Sequence, residues 1–375
     1  MLGRILAGAA LGLALHLSPA LLTPAAAHGP NQPPHQMARL GDLTLESGET
    51  IRDFGISYVT HGTLNAAKSN AILMVTAVGG NHHRLDFLIG PGKALDTEKY
   101  FIVATDAIGN GLTTSPSTST AQPRMRFPRY AIRDMVTSQH RLLTEHLGIN
   151  HVVAVVGPSM GGMQVLQWGV SQPDFMDSLV AMVPLARTPA WTVAVLEASR
   201  KAIMLDPAWA EGNYTAPPER GIRLWRDILS FLAARSPELY RDQFAQDPMA
   251  VLPWLQQQET AQLTAFDAND WLYQTWAYER HDIGATPGMG GDLIRALRAI
   301  KAKTLILTGT KDLLNPEYEP QEAARFIRDV RVVTISPGTV TGHAAAGGGA
   351  PADVDFLNRE TAGFLDLVAR GARRN

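Results

Sequence analysis

The chain has 375 residues, 45% of them hydrophobic, with 33 Lys and Arg against 35 Asp and Glu and no cysteine. This length allows one large domain or two ordinary ones, and the apolar content is sufficient for a large core. The near-neutral charge, with a sequence pI of about 6.6, argues against a nucleic-acid-binding protein, which usually has a basic surface. The absence of cysteine excludes disulfides, thiolate nucleophiles, thiolate zinc sites and iron–sulfur clusters.

The N-terminus has the three-part pattern of a secretory signal peptide. Arg4 supplies the positive charge, Ile5–Leu17 the apolar region and Ala25–Ala27 the cleavage site. The pattern predicts a signal peptide over residues 1–27 with cleavage before His28. An uncleaved membrane anchor is the alternative, although the apolar stretch is marginal for the roughly 20 residues that a span requires. We therefore expect an exported protein, periplasmic or secreted, with no membrane span after signal removal.

A polar lead over residues 28–44 precedes a chain that alternates short apolar runs with helical patterns. Six runs are rich in Val, Ile and Leu at successive positions: Ala71–Thr76, Tyr100–Thr105, His151–Val156, Leu179–Val183, Thr304–Leu307 and Arg331–Ile335. Strands buried on both faces of a parallel sheet are typically of this kind. Apolar residues at helical spacing over Arg133–Leu147 add the alternation of an α/β protein. The sequence predicts a mostly parallel central sheet flanked by helices.

The middle of the chain has a different pattern. Residues 184–300 are mostly helical in periodicity and contain six of the seven tryptophans. We interpret this segment as a helical cap inserted into an α/β core formed by residues 45–183 and 301–375.

One motif points to covalent chemistry. Gly157–Gly162 (GPSMGG) follows a predicted strand and precedes a helical pattern, which is the context of a G-x-S-x-G nucleophile elbow. Glycines at 157 and 161 allow the strand and helix to approach around a strained serine. Ser159 is therefore the candidate nucleophile. A plain glycine-rich turn is the alternative.

A nucleophilic serine requires a base and an orienting carboxylate, in the chain order Ser, Asp, His for this type of sheet. Asp312 follows the strand TLIL, and His343 follows the strand RVVTI. They are the candidate carboxylate and base for Ser159. A turn or cap role for Asp312 and a solvated loop position for His343 remain open. His82 and His83 precede Ser159, against this order, and adjacent side chains diverge, so we expect neither a base nor a metal site there.

The loop Ala77–His83 follows the strand AILMVT and contains two glycines. In this type of sheet a second oxyanion donor is expected in that loop. The backbone N–H groups of Val78 and Met160 are therefore the predicted oxyanion hole. A simple glycine-rich turn is the alternative.

From about residue 45 onwards the chain resembles the homoserine O-acetyltransferase family of the α/β-hydrolase fold. The matching stretches are Tyr58–Asn65, Gly90–Tyr100, Phe127–Val136, Gly157–Trp168, Arg200–Asp206 and Gly342–His343. The resemblance implies an α/β-hydrolase fold with a helical lid, a Ser159–Asp312–His343 triad and an acyl-enzyme on Ser159. It also implies that Arg226 binds a substrate carboxylate, for which a buried structural arginine is an equal alternative.

Two positions depart from the family pattern. The aspartate that follows the catalytic histidine and holds the homoserine amine is replaced by Ala344, and a cap tyrosine near Ala233 is absent. Loss of the partner of a buried ammonium predicts an acceptor other than homoserine. Export is a second argument, because acetyl-CoA is a cytoplasmic metabolite.

These observations predict an exported serine hydrolase, an esterase that acts on a small-molecule acyl ester through Ser159. The first alternative is an O-acyltransferase of the homoserine O-acetyltransferase type, with acetyl-CoA as co-substrate only in that case. The second alternative is a non-catalytic binding module on the same fold. No other cofactor, no metal and no nucleic-acid partner are expected, and a homodimer is an expectation from the family.

Overall fold

The structure is a computed structural model that describes residues 34–233, 235–263, 267–336 and 340–372. The predicted signal peptide and its cleavage site lie outside these residues. In the described part of the chain, no helix combines the length and apolar character that a bilayer span requires.

The described residues form one eight-stranded sheet in the order β1-β2-β4-β3-β5-β6-β7-β8. Pairing is antiparallel between β1 and β2 and between β2 and β4, and parallel in the rest of the sheet. The strands are β1 Gln36–Thr44, β2 Thr50–His61, β3 Ala71–Val75, β4 Phe101–Thr105, β5 Val152–Pro158, β6 Met176–Met182, β7 Lys303–Gly309 and β8 Val330–Ile335. Each of the six predicted apolar runs overlaps a strand and extends past it by at most one residue, and the predicted mostly parallel sheet is confirmed.

The central strands are apolar at successive positions because both faces of the sheet are covered. On β3, Leu73 and Val75 belong to one core while Ile72 and Met74 belong to the other. All four side chains are fully buried. A continuous apolar run rather than an alternating one is the consequence.

Helices α1, α2, α8 and α9 contribute to the first of these cores, and α10 to the second. The helices are α1 Ile132–Arg141, α2 Met160–Ser171, α3 Ala190–Met204, α4 Glu219–Ile228, α5 Pro237–Gln243, α6 Val251–Gln262, α7 Ala268–Glu279, α8 Leu293–Ala299, α9 Tyr318–Ala324 and α10 Pro351–Ala372.

The sheet begins earlier in the chain than the sequence indicated. Residues 36–44, expected to belong to a polar lead, form the edge strand β1 against β2. Its side chains are mostly exposed, and the apolar residues that it buries are Ala38 and Leu43. An edge strand with one uncovered side needs few apolar residues, so it produces no apolar run for the sequence to show.

The segment between β6 and β7 forms no strand within its described residues and carries helices α3 to α8. Strands β6 and β7 nevertheless pair directly, from Ser178–Lys303 to Met182–Leu307. The chain therefore leaves the sheet after β6 and returns to the neighbouring position. Helix α7 of this segment contacts the loops that follow β3 and β7, at the carboxyl ends of the strands where the candidate site lies.

Candidate active site

Ser159 lies in a tight turn between β5 and α2. Its backbone has φ 56° and ψ −120°, a conformation that residues other than glycine rarely adopt. A Cβ on Gly157 would lie 2.6 Å from Val75 Cγ2, and a Cβ on Gly161 would lie 2.7 Å from Val75 O. Both positions therefore require glycine. The turn presents the Ser159 hydroxyl at the carboxyl end of the sheet and at the N-terminus of α2.

The structure brings the three predicted residues into one chain of hydrogen bonds. Ser159 Oγ is 2.7 Å from His343 Nε2, and His343 Nδ1 is 2.7 Å from Asp312 Oδ2. Asp312 follows β7 and His343 follows β8, so two neighbouring strands deliver them to the same edge. His343 is only 7% exposed and is therefore not a solvated loop residue. The order of groups is that of a nucleophile, a base and an orienting carboxylate.

Asp312 accepts hydrogen bonds through both of its carboxylate oxygens, and this fixes the positions of the protons on His343 and Ser159. Asp312 Oδ1 accepts the backbone N–H groups of Leu314 and Asn315, each at 2.8 Å. Asp312 thus caps the turn that follows it and also contacts the imidazole. An ionised carboxylate only accepts, so His343 Nδ1 donates to Asp312 and its Nε2 accepts from the Ser159 hydroxyl. This is the tautomer that a general base requires.

The loop after β3 starts beside the first turn of α2. A Cβ on Gly161 would lie 3.1 Å from Thr76 O, directly before the loop. In the described part of the chain, neither the Val78 N–H nor the Met160 N–H donates a hydrogen bond to another residue. Their assignment as oxyanion donors stays a prediction.

Helix α7 holds this loop from the cap side. Gly79 N–H donates to Gln274 Oε1 at 2.8 Å, and Gln274 Nε2 donates to Ile108 O at 3.2 Å. The glutamine thereby connects the loop after β3 with the loop after β4. Since the Gly79 N–H belongs to the peptide unit that follows Val78, the same bond restrains the backbone at the predicted oxyanion donor.

The rival histidines pair with two different carboxylates. His82 Nδ1 lies 2.8 Å from Asp106 Oδ2, and the backbone N–H of His82 donates to Asp106 Oδ1 at 2.9 Å. His83 Nδ1 lies 2.8 Å from Asp86 Oδ2. The buried His82–Asp106 pair is a second tie between the loops after β3 and β4. The imidazole that contacts the Ser159 hydroxyl is that of His343.

Comparison with known proteins decides the family. Residues 70–343 match the family described as the alpha/beta hydrolase fold. A homoserine O-acetyltransferase from Leptospira biflexa is 35% identical over 335 residues, which cover 80% of this chain and 85% of that protein. The chain belongs to the homoserine O-acetyltransferase family of the α/β-hydrolase fold. It is an enzyme of that fold, and the resemblance stated from the sequence is confirmed.

The solved structures that resemble this chain include both esterases and acetyltransferases. The acetyl esterase MekB has a TM-score of 0.82 and 30% identity, over 90% of this chain and 98% of that one. The homoserine O-acetyltransferase from Bacillus anthracis has a TM-score of 0.79 and 26% identity, over 88% and 97%. Esterases and acetyltransferases thus share this architecture.

Arg226, which the family resemblance links to carboxylate binding, is buried in the cap. Its Nη2 donates to Gln258 Oε1 at 2.9 Å, while its Nε has no hydrogen-bond partner among the described residues. Burial, followed by the positive charge of Arg235, lowers the pKa of Arg226 to about 10. Within the described chain, no hydrogen bond or ion pair joins Arg226 to Ser159 or His343. Arg226 is therefore not hydrogen-bonded to either residue.

Ala344, at the position where the family resemblance implies an amine-binding aspartate, is buried directly after His343. A Cβ on Gly349 would lie 3.0 Å from the Ala344 methyl group, so the alanine packs against the following loop. This position has no carboxylate to offer an ammonium group.

Sequence reasoning missed three residues that contact the site: Gln274, Tyr278 and Asn315. Tyr278 is buried on α7 and donates its hydroxyl to Asn315 Oδ1 at 2.7 Å. One signal was present in the sequence. Asp270, Gln274 and Tyr278 recur every four residues along α7, which places them on one face.

Proposed function

We propose that this chain is a serine enzyme that takes the acyl group of a small ester onto Ser159 and passes it to an acceptor. The observation that carries the proposal is the buried chain of hydrogen bonds from Ser159 through His343 to Asp312, with both links at 2.7 Å. Such a chain needs no cofactor to form an acyl-enzyme.

The first half of the proposed reaction follows from the proton directions. His343 Nε2 removes the Ser159 proton as Ser159 Oγ attacks the ester carbonyl, and Asp312 stabilises the imidazolium that results. The N–H groups of Val78 and Met160 would stabilise the oxyanion, together with the positive end of the α2 dipole. The imidazolium then protonates the departing alcohol of an ester, or the departing thiol where acetyl-CoA is the donor, which leaves the acyl group on Ser159.

The curated relatives favour an alcohol as the acceptor. They are named homoserine O-acetyltransferases, and they support the transferase alternative better than the exported esterase. Transfer of an acetyl group to an alcohol is therefore the first form of the proposal, with acetyl-CoA as the co-substrate that donates it.

Water is the second candidate acceptor, and Ala344 is the specific observation in its favour. Homoserine carries an ammonium group, and burying an unpaired charge costs several kcal/mol. At Ala344 the chain offers a methyl group where the family has a carboxylate. Without that ion pair, homoserine lacks the binding free energy that would let it compete with water for the acyl-enzyme. The similarity of the fold to the acetyl esterase MekB also supports this form.

Export of the mature chain belongs to the hydrolytic form of the proposal only, because the transferase form requires cytoplasmic acetyl-CoA. The predicted signal peptide supports it, and hydrolysis suits a compartment without acetyl-CoA. N-terminal sequencing of protein recovered from the periplasm or medium should give His28 as the first residue. An intact N-terminus on cytosolic protein would contradict export without affecting the chemistry.

Covalent labelling tests the acyl-enzyme. A fluorophosphonate should label the wild type and Ser199→Ala, a variant of another buried serine, but not Ser159→Ala. Labelling that persists in Ser159→Ala, or fails in the wild type, would contradict the serine-enzyme proposal and favour a binding module.

An acyl-partition assay then separates the two acceptors. Nitrophenyl acetate serves as donor with and without homoserine, and acetate and O-acetylhomoserine are both quantified. Dominant O-acetylhomoserine supports the transferase. Acetate alone, at a rate that does not respond to homoserine, supports the hydrolase.

A further inference from the structure

A cavity of about 270 Å³ lies between strands β1 and β2 and the loop that follows β4. This volume is close to the lower end of the range for small-molecule sites, which begins at about 300 Å³. Residues from all three segments line the cavity, among them Met37, Arg39, Arg52, Asp53, Leu112 and Thr118. None of the lining residues belongs to the triad or to the predicted oxyanion hole, so the cavity is separate from the candidate active site.

The floor of the cavity lies at Gly55, which has no side chain to fill it. Gly55 is opposite Arg39 in the pairing of β1 with β2, and a Cβ on Gly55 would lie 2.8 Å from Met37 Sδ. Thr114 holds this floor from the other side. Its backbone N–H donates to Gly55 O at 3.0 Å, and its hydroxyl accepts from the Gly55 N–H at 2.9 Å. The loop after β4 is thereby fixed against β2.

Gln122 joins the same two walls a second time. Its Oε1 accepts from the Arg52 N–H at 2.8 Å, and its Nε2 donates to Thr50 O at 3.0 Å. Its own backbone N–H donates to Ser119 Oγ at 3.0 Å. Hydrogen bonds therefore connect the start of β2 to the loop after β4, and the cavity is preformed, as small-molecule sites usually are.

Two guanidinium groups line the cavity without an acidic partner. Among the described residues, the side chains of Arg39 and Arg52 make neither an ion pair nor a hydrogen bond. Arg141, which also contacts β1, is by contrast paired with Glu145 at 3.0 Å. Guanidinium groups bind carboxylates and phosphates through paired, charge-assisted hydrogen bonds. Two of them in one cavity favour an anionic ligand.

Asp53 sets a second requirement for the ligand. Its carboxylate lines the same cavity and has no ion pair or hydrogen bond in the described part of the chain. A carboxylate only accepts hydrogen bonds, so it favours a ligand with a hydroxyl or ammonium donor and disfavours a second negative group beside it. The hydroxyl of Thr118 accepts from the Ser115 N–H at 3.1 Å and keeps its own proton for an anion.

We propose that this cavity is a binding site for a small organic anion that also carries a hydroxyl or ammonium donor. The anionic group binds Arg39 and Arg52, the donor binds Asp53, and the carbon atoms of the ligand pack against Met37 and Leu112. A hydroxylated carboxylate such as gluconate has this combination of groups.

Calorimetric titration of the purified protein with gluconate tests the site. We expect the double variant Arg39→Gln/Arg52→Gln to bind gluconate at least about tenfold more weakly than the wild type, because charged hydrogen bonds are lost. Its midpoint of urea unfolding should be that of the wild type, since both side chains are exposed. Ser159→Ala should bind gluconate as the wild type does, so a failure of the proposed acyl-enzyme would leave this result unaffected.

Arg295→Gln/Arg298→Gln is the matched control. Both arginines are exposed on α8 and, within the described residues, form no ion pair, so the control removes the same charge outside the cavity. Its affinity for gluconate should equal that of the wild type. Absence of gluconate binding to the wild type, or equal weakening in the two double variants, would overturn the inference.

A second ligand tests the role of Asp53. Glutarate has two carboxylates and no hydroxyl, so the wild type should bind it about tenfold more weakly than gluconate. Asp53→Asn should reduce this preference because it removes the negative charge. The backbone at position 53 has φ 51°, a left-handed conformation that asparagine also adopts readily, so the fold is retained. An unchanged preference in Asp53→Asn would show that the assignment of the donor group to Asp53 is wrong.

Discussion

Gln274 and Tyr278 lie four residues apart on α7 and contact the two loops on opposite sides of Ser159. Gln274 accepts from the Gly79 N–H at 2.8 Å, and Tyr278 donates to Asn315 Oδ1 at 2.7 Å. A spacing of four residues places both side chains on the same face of the helix. One cap helix therefore supports both the predicted oxyanion loop and the loop of Asp312, so a change in the cap is expected to alter the chemistry as well as substrate access.

The first prediction concerns Gln274 as a positioning residue. Gln274→Leu removes the acceptor of the Gly79 N–H and frees the peptide that follows Val78. Since loss of a whole oxyanion donor costs about 10² to 10³ in rate, a misoriented one should lower kcat about tenfold. KM for nitrophenyl acetate and labelling of Ser159 should be retained. Tyr273→Phe on the same helix is the control. If Gln274→Leu has the same kcat as this control, Gln274 is not a positioning residue.

The second prediction concerns Asp312. Asp312→Asn retains the shape of the side chain but allows an amide N–H to face His343, which favours the wrong tautomer. We expect kcat to fall about 10³- to 10⁴-fold with little change in KM. Asp177→Asn is the control because Asp177 also contacts a histidine, His151, at 3.0 Å but on the surface. Similar activity in the two variants would contradict the triad assignment.

The third prediction introduces at position 344 the carboxylate that the family resemblance implies. In Ala344→Asp, a buried carboxylate can pair with the ammonium group of homoserine, which should raise the share of O-acetylhomoserine about tenfold. Ala344→Asn has the same size without the charge and should leave the share unchanged. Equal partition in both variants would show that position 344 does not select the acceptor.

The fourth prediction concerns Arg226 and acidic esters. The Nε of Arg226 is buried without a hydrogen-bond partner in the described chain, as expected for a guanidinium that awaits a carboxylate. Arg226→Gln should raise KM for a nitrophenyl hemisuccinate about tenfold and leave KM for the neutral acetate unchanged. Arg223→Gln, on the same helix and paired with Glu259, is the control. Equal shifts for both esters would indicate a structural arginine.

The fifth prediction concerns stability at mildly acidic pH. Burial lowers the pKa of His281 to about 4, and its ring nitrogen lies 3.1 Å from Leu185 O. In the unfolded chain the imidazole of His281 has its ordinary pKa of about 6.5. Protonation therefore favours the unfolded chain, and the free energy of unfolding decreases as the pH falls from about 6.5 towards 4. Between pH 7 and 5 the loss should be about 2 kcal/mol.

The measurement is urea unfolding at pH 7 and pH 5. His281→Gln can still donate to Leu185 O but cannot titrate. Between pH 7 and pH 5, the decrease in its free energy of unfolding should therefore be about 2 kcal/mol smaller than the decrease in the wild type. His151→Gln, at an exposed histidine, should behave as the wild type does. An identical pH dependence in His281→Gln and the wild type would contradict the shifted pKa.

Several features followed from local sequence alone. The buried strands were predictable because a sheet covered on both faces requires apolar residues at every position, as on Ile72 to Val75. The turn of Ser159 was predictable because the G-x-S-x-G motif stands between a strand pattern and a helix pattern, although the atoms that exclude a Cβ at both glycines belong to Val75 on β3. Asp312 and His343 followed from their places after late strands, because parallel strands end at one edge of the sheet.

Contacts between distant segments were decided by the tertiary structure. The edge strand β1 exposes most of its side chains, so nothing in its composition indicated the pairing with β2. The sequence places Gln274 and Tyr278 on one face of α7, but only the packing of α7 against the core brings that face to Gly79 and Asn315. Periodicity specifies the face of a helix that is buried, but the partner of that face depends on how the whole chain packs.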